Sequence, residues 1–470
     1  MTIRTFSLEN QISFSEISGD FNPLHVDPII ARRLLYGDPA VHGIHAALWA
    51  IDVWLKKNGY IVSLTSLKIE FLLPIVINQP VQYVCVDETK DSFYISILIS
   101  GKKAVSIKAS FLIVNSHEKI RFHSKMVKDE CKEVAVSDIL KVSGNVDLNV
   151  DYVLANKLFP YIVNSLSPIQ ISELLATTKI VGMQCPGLQS IFSSLALKFK
   201  NAASNCLQMN YDVEDFDERF SRITVNILSA SASGRLYVFY RPPYKQQPSY
   251  SDMHKLVARS EFSDQRALII GGSRGLGEVT AKLLASGGAE VAITYFRGSR
   301  DANSIVKDVT NGGGNIFSIN YDVMSPLEGR NLSIENNWTP THLYYFATPF
   351  IFDGVRGEFN NELFNKFCDY YVTGFVNAID NCKAVGSNLK KVYYPSSVAV
   401  DTPPADMIEY SAAKAAAESI CRSFNITENK TEFIFDRLPR LDTDQTASVF
   451  EVDNNDPVPH MLRIVRGMSN

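Results

Sequence analysis

The sequence predicts an α+β amino-terminal part followed by an α/β part built on a doubly wound parallel sheet. Three observations carry that prediction. A predominantly apolar run, Ile44–Leu55, is long enough for a buried helix, and four strand-like segments follow it: Ser63–Pro74, Val81–Asp87, Phe93–Ser100 and Ala104–Val114. A stretch rich in Pro and Gln, 241–248, then interrupts the apolar pattern. Beyond it strands and helices alternate, at Arg266–Ile270, Gly277–Ser286, Glu290–Tyr295, Ile316–Tyr321 and His342–Ala347. One helix followed by an antiparallel meander folds as a sheet around that helix, whereas strand–helix alternation gives a parallel sheet covered on both faces.

The bulk numbers fit several globular domains. A chain of 470 residues has the length of about three domains. Its 46% hydrophobic and 20% charged content supplies ordinary cores. The net charge is −4 with no basic block, which argues against nucleic acid as a partner. Cysteines stand at 85, 131, 185, 206, 368, 382 and 421, odd in number and without a C-x-x-C pair. That usage fits a reducing compartment and neither a disulfide frame nor a zinc site. MTIRTFSLEN lacks the apolar stretch of a signal peptide, and no run approaches a membrane span. The expectation is a soluble cytoplasmic protein with no membrane partner.

The residues that carry chemistry begin at Ser18. SGDFNPLHVD places Asp20 and His25 on one polar loop, with Pro23 stiffening the turn between them. A carboxylate and an imidazole so held can share a water and act as a general acid/base pair. Val41-His42-Gly43 follows at the start of the apolar helix. Gly43 lets a substrate approach the backbone, and amides at a helix start point toward an oxyanion. The ordered string S-G-D-x-N-P-L-H-x-D, then alanine and V-H-G, resembles the MaoC-like (R)-specific enoyl-thioester hydratases. The resemblance implies a hotdog fold for residues 1–115, a sheet wrapped around a central helix. It also implies Asp20 and His25 as the catalytic pair and Gly43 as the oxyanion-hole glycine. His25, His42 and His45 lack the i, i+4 spacing of paired helical ligands, so no metal site is expected.

Residues 116–245 echo this pattern. His117–Val150 is charged and mixed and reads as a connection. Residues 181–187 precede a second apolar stretch, Leu188–Phe199, expected to be a helix with Pro186-Gly187 standing where the first domain has His42-Gly43. Strand-like runs follow at Cys206–Tyr211, Phe220–Leu228 and Gly234–Tyr240. The preceding YIVNSLSPIQISELLATTK contains no Asp-x-x-x-x-His loop. The expectation is a non-catalytic second hotdog that completes a double hotdog and covers the edge or helix of the first.

Residues 246–264 read as a linker, and 265–470 as a Rossmann-type domain. The strand Arg266–Ile270 runs into Gly271-Gly272-Ser273-Arg274-Gly275-Leu276-Gly277, where a helix begins. Glycines between a strand and a helix permit a tight turn and bring a pyrophosphate to the helix N-terminus. Asp322-Val323 follows the third strand, and Ser397 stands thirteen residues before Tyr410. Tyr410 and Lys414 share a helix face at i, i+4. The set resembles the short-chain dehydrogenase/reductase family. The resemblance implies cofactor contacts at Gly271, Ser273, Arg274, Gly275, Leu276, Gly277, Asp322, Val323 and Ala347. It implies Ser397, Tyr410 and Lys414 as the catalytic set, with Lys414 lowering the pKa of Tyr410 and holding a ribose hydroxyl. The second strand ends VAITYFRGSR without an acidic residue, and Arg274 and Arg297 are placed to meet a 2′-phosphate, which favours NADP(H). Departures from the family pattern are Ile270 for threonine, Phe346-Ala347-Thr348-Pro349 for N-N-A-G, Tyr371 for an asparagine, Pro439-Arg440 for Pro-Gly, and a short carboxy-terminal segment.

Together these readings lead to a bifunctional enzyme acting on acyl thioesters of CoA or acyl carrier protein. It would combine NADP-dependent 3-oxoacyl reduction with dehydration of the 3-hydroxyacyl product. A hydratase alone, with a degenerate cofactor-binding domain, is the alternative reading, and a homodimer is open.

Overall fold

A computed structural model describes residues 2–34, 36–118, 120, 122, 129–200, 207–325, 338–446 and 452–469. Two compact units partition the chain: Met1–Pro243 with Ser448–Glu451, and Tyr244–Ala447 with Val452–Asn470.

Among the described residues the first unit is organised by one antiparallel sheet of ten strands. They are β1 (Thr2–Thr5), β2 (Val62–Phe71), β3 (Pro80–Glu88), β4 (Ser92–Ile99) and β5 (Lys102–Ile113), then β6 (Ser143–Asp147), β7 (Ser190–Phe199), β8 (Gln208–Asp217), β9 (Arg222–Leu228) and β10 (Ala232–Tyr240). Their order, β1-β3-β4-β5-β2-β7-β10-β9-β8-β6, reads the same from either edge: each half of the sheet contributes a matching set of five. β2 and β7 meet at the centre, with Leu67 opposite Leu197 and Ile69 opposite Leu195. Each half threads one long helix between its edge strand and its central strand, Gly43–Asn58 in the first and Pro168–Lys179 in the second.

Gly43–Asn58 is apolar on nearly every face, from Ile44 to Leu55, and is buried accordingly. It stops at Gly59, whose φ of 68° suits glycine, with Lys56 and Lys57 in the last turn. Polar side chains join the halves. Gln170 imitates a strand, donating to the Leu64 carbonyl at 2.8 Å and accepting from the Leu64 amide at 3.0 Å. Asp52 accepts from the amides of Tyr161 and Ile162 at 2.9 and 2.8 Å, capping the short helix Pro160–Ser165.

The second half departs from the sequence expectation in its secondary structure. Leu188–Phe199, expected as a helix, contains strand β7. Leu195 and Leu197 are buried while Ala196 and Lys198 are exposed, a period of two that a short apolar run does not announce. The helix lies instead at Pro168–Lys179, prolonged by a π-turn at Ile180–Gln184. Ser167-Pro168, and not Pro186-Gly187, therefore stands where the first half has His42-Gly43. The expected connection 117–150 contributes the edge strand β6, and Cys206 lies outside the described residues.

Among the described residues the second unit holds six parallel strands: β11 (Arg266–Ile270), β12 (Glu290–Tyr295), β13 (Asn315–Asn320), β14 (His342–Tyr345), β15 (Lys391–Ser397) and β16 (Glu432–Leu438). Their order is β13-β12-β11-β14-β15-β16. Ala267 and Ile269 enter the core on one face while Leu268 and Ile270 enter the other, so the strand is apolar throughout. The order reverses between β11 and β14, which opens a crevice at their carboxyl ends. The expected linker 246–264 belongs to this unit's core: Tyr250, Met253 and Phe262 are buried. The Tyr250 ring lies against Gly312 and Gly314, where a side chain would not fit. These apolar residues are spaced among polar ones and show no period. Among the described residues no helix is long and apolar enough to cross a membrane.

Candidate active sites

Successive caps place the amino-terminal site. Ser7 and Asn10 form a capping box that starts the helix Leu8–Ser18, and Gly19, at φ 73°, ends it. That turn carries Asp20 into the interior, where 1% of it is exposed. Asn22 caps the next turn, Pro23–Val26, which presents His25, and Asp27 caps the one after. Asp27 is thus a structural cap.

Asp20 is held on both oxygens. Its Oδ2 accepts from the Thr178 hydroxyl at 2.6 Å, and its Oδ1 from the Asn22 amide at 3.1 Å. His25 Nδ1 lies 2.7 Å from the Ala40 carbonyl. That oxygen only accepts, so Nδ1 carries the proton and Nε2 is the nitrogen left for chemistry. Burial raises the pKa of Asp20, opposed by His25, Thr178 and Asn22. Burial lowers that of His25, opposed by Asp20 and the Ala40 carbonyl. Desolvation therefore drives the two values toward each other.

His42 stacks on His25 with ring centroids 3.8 Å apart. Its Nδ1 lies 2.9 Å from Gln11 Oε1 and its Nε2 3.1 Å from the Asp20 carbonyl. Ligand-type atoms of Asp20, His25 and His42 all lie within 4.8 Å of one another. Both nitrogens of His42 already face protein oxygens, so the trio suits proton transfer better than metal ligation.

A cavity of about 230 Å³ opens here, lined by Asp20, His25, Gly43 and Thr178 together with Leu24, Phe71 and Phe192. Gly43 is the first helical residue, whose amide has no acceptor within the helix. A Cβ on Gly43 would stand 2.6 Å from the Phe71 ring. A polar pair, a helix-start amide and apolar walls in one enclosure suit a substrate with an activated carbonyl and an apolar tail.

In the second unit the glycine turn follows β11. Gly271 has φ 76°, and a Cβ there would come within 2.9 Å of the Ala347 amide. A Cβ on Gly277 would come within 2.4 Å of the Gly271 carbonyl. The turn that follows β11 and the segment that follows β14 thus meet at the crevice, and the bare backbone fits the approach of a phosphate to the helix Gly275–Ser286. Ser273 is buried and Leu276 packs on the core. Asp322 caps its own turn, accepting from the Met324 amide at 3.0 Å, and Val323 is buried. Arg274 is not simply open to a 2′-phosphate: it pairs with the buried Asp444 at 3.0 Å. Arg297 is exposed, its guanidinium 5.5 Å from the Phe296 ring.

Ser397, Tyr410 and Lys414 come together at the end of β15 and on the helix Ile408–Thr427. The Ser397 side chain hydrogen-bonds Tyr410. Lys414 Nζ donates to the Pro395 carbonyl at 2.6 Å and lies 4.1 Å from the Tyr371 ring and 5.8 Å from that of Tyr410. Burial pushes the Tyr410 phenol up to about 12, against the Ser397 hydrogen bond. Burial brings Lys414 down to about 7. The expected lowering of Tyr410 by Lys414 is thus reversed, because desolvation dominates and the amine is turned to a carbonyl and aromatic faces. Tyr371 is buried, with its hydroxyl 2.6 Å from Thr348 Oγ1.

Sequence reasoning did not find Thr178, Gly182 or Asp444. Each acts across a long separation, and no local spacing marks Thr178 as a partner of Asp20.

The MaoC like domain model matches residues 3–106, and the short chain dehydrogenase model matches residues 265–434. The chain carries a MaoC-like domain in its amino-terminal part and a short chain dehydrogenase domain in its carboxy-terminal part. An uncharacterized oxidoreductase of Methylorubrum extorquens is 24% identical over 164 residues, 34% of this chain and 66% of that protein. The uncharacterized oxidoreductase YgfF of Escherichia coli is 26% identical over 169 residues, 34% of this chain and 68% of that protein. The chain thus spans about two thirds of the length of these curated relatives. Among solved structures, a short chain dehydrogenase from Burkholderia cenocepacia in complex with NADP is 21% identical, with a TM-score of 0.40, over 45% of this chain and 92% of that one.

Proposed function

We propose that the chain is a bifunctional enzyme of acyl thioesters, carried on CoA or an acyl carrier protein. In this reading the first unit is a double hotdog, and its site dehydrates 3-hydroxyacyl thioesters or hydrates (R)-specifically in reverse. The second unit is an NADP-dependent 3-oxoacyl reductase. The observation that supports it most is the pairing of buried Asp20 with half-buried His25 in one cavity with the helix-start amide of Gly43.

In dehydration one member of the pair takes the proton from C2 while the other protonates the departing C3 hydroxyl. In hydration the roles exchange. The Gly43 amide stabilises the thioester oxygen as negative charge gathers on it. In the second unit Gly271, Ser273, Arg274, Gly275, Leu276 and Gly277 would hold the dinucleotide phosphates, with Asp322, Val323 and Ala347 beside the base and ribose. When bound, NADPH supplies a hydride. Ser397 holds the carbonyl oxygen of the substrate, and Tyr410, protonated at neutral pH, delivers a proton to it. Lys414 would bond a ribose hydroxyl.

A hydratase alone is favoured by three observations in the second unit: the Arg274–Asp444 pair, the Lys414–Pro395 hydrogen bond and Tyr371 bonded to Thr348. NADPH oxidation with acetoacetyl thioesters and absorbance of crotonyl thioesters separate the readings. Both signals are expected from the purified chain, on CoA or carrier-protein substrates. Hydration without NADPH oxidation would leave the hydratase alone, and silence in both would end the enzyme reading.

A further inference from the structure

The second half of the first unit carries no acid/base pair of its own, yet it reaches into the site of the first half. Thr178 stands at the end of the helix Pro168–Lys179, and its hydroxyl donates to Asp20 Oδ2 at 2.6 Å. Thr178 is itself buried, 4% exposed. Four residues on, Gly182 leaves space that the Asp20 carboxylate fills: a Cβ there would lie 2.2 Å from Oδ1. Asn22 Nδ2 donates to the carbonyls of Gly182 and Gly187, each at 3.0 Å. The Phe21 amide lies 3.2 Å from Met183 Sδ. The loop that carries Asp20 is therefore gripped along its length by residues 178–187.

We propose that Thr178 is a positioning residue for Asp20, and that the dehydratase site is built from both halves of the unit. The inference rests on the hydratase reading of the Asp20–His25 site and names what that site requires. The hydroxyl does two things. It fixes the rotamer of the carboxylate, so that the other oxygen keeps its bond to the Asn22 amide. It also stabilises the ionised carboxyl, because a donor to a carboxylate favours the charged form. Burial alone raises Asp20, and Thr178 limits that rise. The titratable groups facing Asp20 come from both halves: His25 and His42 from the first, and Cys131, whose thiol donates to the Gly182 carbonyl at 3.0 Å, from the second, beside Thr178 and the apolar Val181 and Met183.

The test is the pH profile of crotonyl-CoA hydration by the full chain and its Thr178→Val and Thr178→Ser variants. Valine matches threonine in shape and lacks the hydroxyl, whereas serine keeps it. Thr178→Val is expected to lower kcat about tenfold or more while KM stays within about twofold, and to move the acid limb of kcat/KM up by about one pH unit. Thr178→Ser is expected to restore most of both. Gly182→Ala is expected to abolish hydration with Thr178 intact, because its methyl meets the carboxylate; this variant carries the test if Thr178→Val does not fold. A Thr178→Val enzyme with the wild-type profile, equal losses in the Val and Ser variants, or a fully active Gly182→Ala enzyme would overturn the proposal. Wild-type chain inactive on crotonyl thioesters of CoA and of carrier protein would instead overturn the hydratase reading beneath it.

Discussion

The two candidate sites answer the same force in opposite ways. At Asp20 and His25, burial raises the acid and lowers the base, so their proton affinities converge. At Tyr410 and Lys414, burial raises the acid to about 12 and lowers the base to about 7, so they separate. A converged pair can pass a proton back and forth, which a reversible hydration needs. A separated pair keeps its proton on the phenol, which suits one-way delivery to an oxygen that has just gained an electron pair. Desolvation is common to both, and the outcome depends on whether acid and base begin far apart or close together on the pKa scale.

Removing one acid at a time separates the two sites. Asp20→Asn is expected to lower crotonyl-CoA hydration by about 10²–10⁴ and to leave NADPH oxidation unchanged. Tyr410→Phe is expected to do the converse by a similar factor. Loss of both activities in either variant would mean that the sites are not independent.

A second, smaller effect concerns the anion position in the dehydrogenase unit. Asp444 pairs with Arg274 beside the glycine turn, so an incoming phosphate meets a carboxylate already in place. Asp444→Asn is expected to tighten NADPH binding by about three- to tenfold, measured by quenching of protein fluorescence, through loss of like-charge repulsion. Unchanged or weaker binding would place the phosphates away from Arg274.

The smallest expected effect is on stability. Lys414 has a folded pKa of about 7, below its unfolded value. Between those values the unfolded chain binds the extra proton, so stability of the second unit rises with pH from about 7 upward and is lost as pH falls toward 7. Thermal unfolding of that unit, compared between wild type and Lys414→Met, should show this slope in the wild type alone. Parallel curves would mean that Lys414 stays charged in the folded chain.

How much of this was legible in the sequence follows the range of each interaction. Asp20, His25 and Gly43 sit within one short stretch, and the glycine turn and the Tyr410–Lys414 spacing are equally local, so residue type and spacing carried them. The helix–strand exchange at 168–199 was lost because SIFSSLALKF is apolar enough for either period, and only pairing with β2 and β10 decides it. The matching halves of the sheet were visible as a repeat of texture, but in the wrong register. Thr178 was invisible: its partner lies 158 residues away, and the contact exists only once two half-sheets join. Asp444 reaches Arg274 in the same non-local way, across 170 residues.

If the two chemistries share one intermediate, both sites must handle the same enantiomer of it. The 3-hydroxyacyl thioester made by hydration of crotonyl-CoA in the Tyr410→Phe chain would be compared with that made by reduction of acetoacetyl-CoA in the Asp20→Asn chain. The (R) form is expected from both. Opposite enantiomers from the two variants would contradict it, since neither site could then use what the other makes.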